Sequence, residues 1–156
     1  MHYTFLNEEQ KAAFTNKYRQ TMVIGTNIIG GTILVIVISL FFEKENRPIT
    51  NIGYRYYFLG VALIIAFLIR LFRSLILTNQ KKPTFDILLK RLQTSSLITL
   101  SLCDMVAIFG LVEYMLSGIK MDLYLMIFLS FVFFIVHFPG KYQWEAYINS
   151  NIKELQ

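Results

Sequence analysis

Cysteine occurs once in this chain, at Cys103, so no disulfide can close within it and no redox compartment is implied. The thiol lies in an apolar run and reads as a small hydrophobic residue. Histidine is nearly as scarce. His2 and His137 stand too far apart to form a ligand set, and neither belongs to a His-Glu-x-x-His pattern. No metal site follows from them, and His137, near the end of an apolar run, reads as an interfacial residue. The three prolines, Pro48, Pro83 and Pro139, fall at turns or at the end of an apolar run. Charged residues make up only 16% of the 156 positions, against 55% hydrophobic ones, which is outside the ordinary soluble range. With no nucleotide-binding loop and no nucleophile elbow either, the sequence supports no enzymatic activity and calls for no cofactor.

The charges that remain are informative by their position. Fifteen Lys and Arg against ten Asp and Glu give a net +5, a balance that in another setting suggests nucleic acid. Here the cations flank apolar runs, so orientation in a bilayer explains them and nucleic acid is not a partner. The first twenty residues carry Glu8, Glu9, Lys11, Lys17 and Arg19 and no short apolar core, so they do not read as a cleavable signal.

Four apolar runs follow. No charge occurs between Arg19 and Glu43, an interval of 23 positions, and about 20 residues of helix cross a bilayer core. The expected spans are 21–42, 55–77, 94–117 and 122–139. The fold expected is an all-α membrane protein, a single four-transmembrane-helix bundle over 1–156, with a short N-terminal amphipathic helix. The spacing Asn7-Glu8-Glu9-Gln10 fits a capping box for that helix, which either lies at the membrane surface or is a solvated leader. The third helix is expected to begin in the basic connection, where Phe85, Leu88, Leu89 and Leu92 recur at helical spacing, and to stop at Gly118. Lys141, Tyr142, Trp144 and Tyr147 read as an interface anchor within a C-terminal tail, 141–156.

Counting Lys and Arg by side orients the chain. Eleven fall at the N-terminus, in the middle connection with its adjoining helix end, and at the C-terminus, against four in the other two loops. The positive-inside rule then places both termini, including segment 1–20, in the cytoplasm, in a bacterial-type plasma (inner) membrane.

Within the apolar runs a few polar residues stand out as candidate ion-binding or packing positions. Asp104 is foremost, because a carboxylate at mid-membrane depth costs roughly 3 kcal/mol on insertion scales and is usually paired, protonated or turned to a polar cavity. It lies about 13 Å inside the third span at 1.5 Å per residue. Asn27, Arg70 and Ser130 fall at similar depth on the other spans, so a polar layer is expected to cross the bundle. Arg70 either snorkels to the headgroups or pairs with Asp104. Asn27, among Gly25, Thr26, Gly30, Gly31 and Thr32, either glues helices together or lines an ion path. Glu113 is nine residues beyond Asp104, on the opposite side of the helix, and reads as an interfacial anchor.

Asn79-Gln80-Lys81-Lys82-Pro83, followed by a Leu-rich lead-in and by Cys103-Asp104-Met105-Val106-Ala107-Ile108-Phe109-Gly110-Leu111-Val112, resembles the second half of the proteolipid c subunit hairpin of rotary ATPases. The likeness covers roughly residues 73–116. It implies that Asp104 matches the ion-binding carboxylate, with Phe109, Gly110, Leu111 and Val112 in the element that follows it.

Three functions are compatible with these residues. The first is a non-enzymatic structural or accessory subunit of a membrane complex, partnered by the lipid bilayer and by other membrane subunits or further copies of itself. The second is a proton- or ion-binding or translocating protein with Asp104 as carrier. The third, a lipid- or small-solute-binding bundle, draws on the basic face.

Overall fold

The computed structural model describes residues 7–42, 53–78 and 84–153. The polar loop around Pro48 and the Asn79–Pro83 turn of the c-subunit likeness lie outside them. Five helices follow in order: α1 (Glu8–Phe42), α2 (Gly53–Thr78), α3 (Phe85–Ser117), α4 (Lys120–His137) and α5 (Lys141–Lys153). There is no strand among the described residues, and α1 to α4 are each long and apolar enough to cross a membrane.

The capping box forms reciprocally. The Gln10 amide donates to Asn7 Oδ1 at 2.8 Å and the Asn7 amide donates to Gln10 Oε1 at 3.1 Å. What it starts is not a separate short helix. The expected amphipathic helix and first span are one rod of 35 residues, about 50 Å long at 1.5 Å per residue. No glycine or proline interrupts residues 8–24, and Phe14, on the early part of the rod, is wholly buried against α3 and α5. α3, of 33 residues, overshoots a 20-residue span in the same way. Its end is set by Gly118, whose φ of 73° is left-handed and whose amide donates to the Tyr114 carbonyl at 2.9 Å.

The excess lengths of α1 and α3 meet α5. Phe14, Leu89, Leu92, Trp144 and Ile148 form one buried cluster, with Tyr18 edge-on to Trp144 and its hydroxyl donating to the Pro139 carbonyl. The segment read as an interface anchor and tail is therefore helical from Lys141 and helps cover the end of the bundle near the N-terminus.

α3 is the hub. α1, α2 and α4 all pack principally on it, whereas α1 and α2 share little contact with each other. On α2 the buried positions are Phe58, Ala62, Ile65 and Ile69, a spacing of four, three and four that makes one stripe, joined in one buried cluster with Leu100, Cys103 and Val106 of α3 and Met126 and Phe134 of α4. On α1 the buried face includes Thr21, Gly25, Thr32, Val35 and Ser39. Small side chains there let the helices approach closely.

Two glycines mark the closest approaches. A Cβ at Gly25 would lie 2.8 Å from Leu100 Cδ1, and one at Gly110 would lie 2.5 Å from Met126 Cβ. The second cannot be relieved by rotating a side chain, because a Cβ is fixed to its backbone. Gly110, in the element that carries the c-subunit likeness, thus works in this chain as the contact point between α3 and α4. Gly30 and Gly60 have open space instead. Gly110→Ala is expected to destabilise the bundle by about 1–3 kcal/mol, while Gly30→Ala and Gly60→Ala remain neutral or slightly stabilising. Unfolding of the purified chain in mild detergent measures the contrast, and equal effects at all three sites would contradict it.

Candidate functional site

The polar residues within the apolar helices separate into three groups along the bundle. The middle group centres on Asp104. Its Oδ1 accepts a 2.6 Å hydrogen bond from the Thr32 hydroxyl of α1, and its Oδ2 lies 3.0 Å from the position a Cβ on Gly31 would take. The missing side chain at Gly31 makes room for the carboxylate against α1. One residue before it, the Cys103 carbonyl accepts a buried 2.8 Å hydrogen bond from the Ser130 hydroxyl of α4. A polar layer therefore joins α1, α3 and α4 at one level. Cys103 itself is fully buried and free of any disulfide.

Two of the residues placed in that layer from their depth are elsewhere. Arg70 does not meet Asp104. It lies on the exposed side of α2 and lines a cavity at the amino-terminal end of the bundle, with Arg73, Arg91 and residues of α5. Asn27 is also exposed, on the face of α1 turned away from α3. Equal depth brought neither inward, because depth says nothing about which way a helix is rotated.

The second group lies at the opposite end of the bundle and corrects the reading of Glu113 as an interfacial anchor. Glu113 is only 1% exposed, and Asp122, in the first turn of α4, is 2% exposed. Arg55 of α2 approaches this pair, its Nε 3.0 Å from Asp122 Oδ1, with its own side chain 43% exposed. Neither Asp122 oxygen nor Glu113 Oε1 accepts a hydrogen bond among the described residues. The positive end of the α4 dipole favours an anion at Asp122. Asp122 is thus ion-paired to a half-exposed guanidinium, and Glu113 lies near enough to feel both charges.

Sequence reasoning missed this group because Arg55 and Asp122 are the first residues of the expected spans 55–77 and 122–139, where a charge reads as facing water. The available signal was an acid three positions into a helix that starts at Lys120, together with a cation just inside α2.

The third group is the basic end. Arg73 donates to Gln143 of α5 at 3.1 Å, and the Tyr147 hydroxyl donates to the Leu77 carbonyl at 2.8 Å. These bonds hold α5 across the end of α2. Burial pushes the Tyr147 phenol above its ordinary value, and the neighbouring Arg91 guanidinium pulls the other way. His137 turns its Nδ1 to the Phe133 carbonyl one turn earlier, 3.1 Å away, and shares a small cavity with Arg73 and Trp144.

No group of three or more His, Cys, Asp or Glu suited to a metal ion occurs among the described residues. Comparison with family models, with curated proteins and with solved structures gives no match to this chain.

Arg55 is ion-paired with a buried acid and lies near a second, so its removal is expected to cost more than its exposure suggests. Arg55→Gln should destabilise the bundle by about 2–3 kcal/mol, below the range for a fully buried pair because Arg55 is partly solvated. Adding Glu113→Gln should recover part of that loss. Thermal unfolding of the two variants measures it, and strictly additive losses would show that Glu113 does not share Arg55.

Proposed function

We propose that this chain is a non-enzymatic structural or accessory subunit of a membrane complex. In this reading its four long helices span a bacterial-type inner membrane, and both termini lie in the cytoplasm. The observation that carries the reading is the division of polar groups between inner and outer faces. Facing inward, Asp104 and Ser130 are each engaged by another helix of the same chain. Facing outward, Asn27 presents its amide from the exposed side of α1, beside Gly30, where there is open space for a neighbour to approach. An amide in lipid has no water to bond, and helices that associate in membranes do so through small residues and such polar side chains. The basic residues at the α1, α2 and α5 end favour the cytoplasmic orientation.

A photo-crosslinking residue at position 27 tests this in native membranes. It is expected to capture one discrete companion, another membrane subunit or a second copy of the chain. The same probe at Leu63, an exposed position on α2, should capture less. Capture of lipid alone from position 27 would remove the basis of the proposal.

A second reading, in which the chain binds or moves protons or ions through Asp104, is favoured by one observation. The partner of this carboxyl group is a hydroxyl rather than the Arg70 cation. A hydroxyl can donate to a carboxylate and accept from a carboxylic acid, so Thr32 can serve both states. Under this reading a hydrophobic carbodiimide, which modifies protonated carboxyls, should label Asp104 in a pH-dependent way. Thr32→Val should alter that dependence, and absence of labelling at every pH would rule the carrier out.

A further inference from the structure

Arg70 and Arg73 are three residues apart on α2 and so share a face. Arg91 approaches from the first turns of α3, and Tyr147, Ser150 and Asn151 of α5 close the third side. Together they line a cavity of about 610 Å³ with no carboxylate among its described lining residues. Much of the neutral polar lining is already occupied. Thr78 donates to the Ser74 carbonyl, Ser150 and Asn151 donate to the Tyr147 carbonyl, and the Tyr147 hydroxyl donates to Leu77. The guanidiniums are therefore the groups that define what the cavity accepts. Each has five N–H donors in a planar fork, of which Arg73 uses one NH2 group on Gln143, while Arg91 is engaged with the Tyr147 side chain.

We propose that this cavity binds a phosphate group. Arg70 and Arg73, side by side on one face of α2, repel one another unless an anion lies between them, and the fork matches phosphate oxygens two at a time. The position favours a lipid as the carrier of that phosphate. Arg70 lies about 12 Å, at 1.5 Å per residue, before the end of a helix apolar enough to span a bilayer. Next to it Leu71 and Leu75 are exposed and form an apolar surface on which acyl chains can lie. Basic pockets between helices at a membrane face hold anionic headgroups in this manner. The inference requires only that the chain is inserted in a membrane, and it is independent of whether the chain is an accessory subunit.

The chain supplies its own probe. A smaller neighbouring cavity shares Arg73, Leu77 and Tyr147 with this one and reaches Trp144, the single tryptophan. Full-length chain in detergent is titrated with phosphatidylglycerol, with phosphatidylcholine and with inorganic phosphate, and Trp144 fluorescence is followed. A saturable change with phosphatidylglycerol and none with phosphatidylcholine is expected. Arg70→Gln should weaken it about tenfold, and Arg70→Lys should fall between, since a lysine keeps the charge but not the fork. Arg70 is exposed, so Arg70→Gln should unfold at the wild-type temperature without lipid, which separates lost binding from lost folding. Saturation by inorganic phosphate, in competition with the lipid, would identify free phosphate as the source and still support the site. Equal binding of the two lipids, or phosphatidylglycerol affinity unchanged in Arg70→Gln, would overturn it.

Discussion

Close packing onto α3 is the constraint from which the rest of this structure follows. In the proposed membrane setting the bundle would gain little from hiding apolar side chains, because lipid is as apolar as the interior. What holds it together is contact and the hydrogen bonds that contact permits. α3 offers those on several sides at once: Leu100 and Asp104 to α1, Val106 to α2, Gly110 and the Cys103 carbonyl to α4. Because Gly31 and Gly110 lack side chains, α1 can receive the Asp104 carboxylate and α4 can come within contact of the α3 backbone.

The same crowding explains how charge is distributed along the bundle. In the middle, where a lone charge would be most costly in a membrane, Asp104 is the only acid among the described residues, and it is held by a hydroxyl at 2.6 Å. Towards the end away from the N-terminus, two acids are buried beside a single arginine that retains contact with the exterior. At the N-terminal end the imbalance is reversed, with three arginines around one cavity. The molecule is thus polarised lengthwise, acidic groups buried at one end and cationic groups gathered at the other. That polarity is the physical basis of both the proposed orientation and the proposed phosphate site.

Some of this was legible from residue order alone. The capping box at Asn7, the start of α3 ahead of its apolar run and its stop at Gly118 all depend on neighbours within a few positions, and all are present. Asp104 and Ser130 were recognisable as members of one layer because depth along a helix is proportional to residue number. The partner of Asp104 was not recognisable. Arg70 and Thr32 both lie on apolar helices, and charge favoured the former, but rotation about the helix axis turned Arg70 outward and Thr32 inward. Glu113 was misread for a related reason: its distance from the helix end suggested access to water, while Asp122 and Arg55, brought in by α4 and α2, enclose it.

Sequence by itself determined that this chain forms long apolar helices, where α2, α3 and α4 begin and end to within a few residues, and how far along its helix each polar residue lies. Those properties depend on chain-local composition and on a constant rise per residue. Only the tertiary structure decided which face of each helix looks inward. Over residues 20–42 α1 carries no charge on any face, so periodicity gives that stretch no orienting signal, and on α2 the sequence left Arg70 either snorkelling outward or paired inward with Asp104. Close approach at Gly31 and Gly110 sets α1 and α4 on α3, the Phe58, Ala62, Ile65 and Ile69 stripe sets α2, and Asp104, Arg70 and Glu113 fall into three different environments as a result.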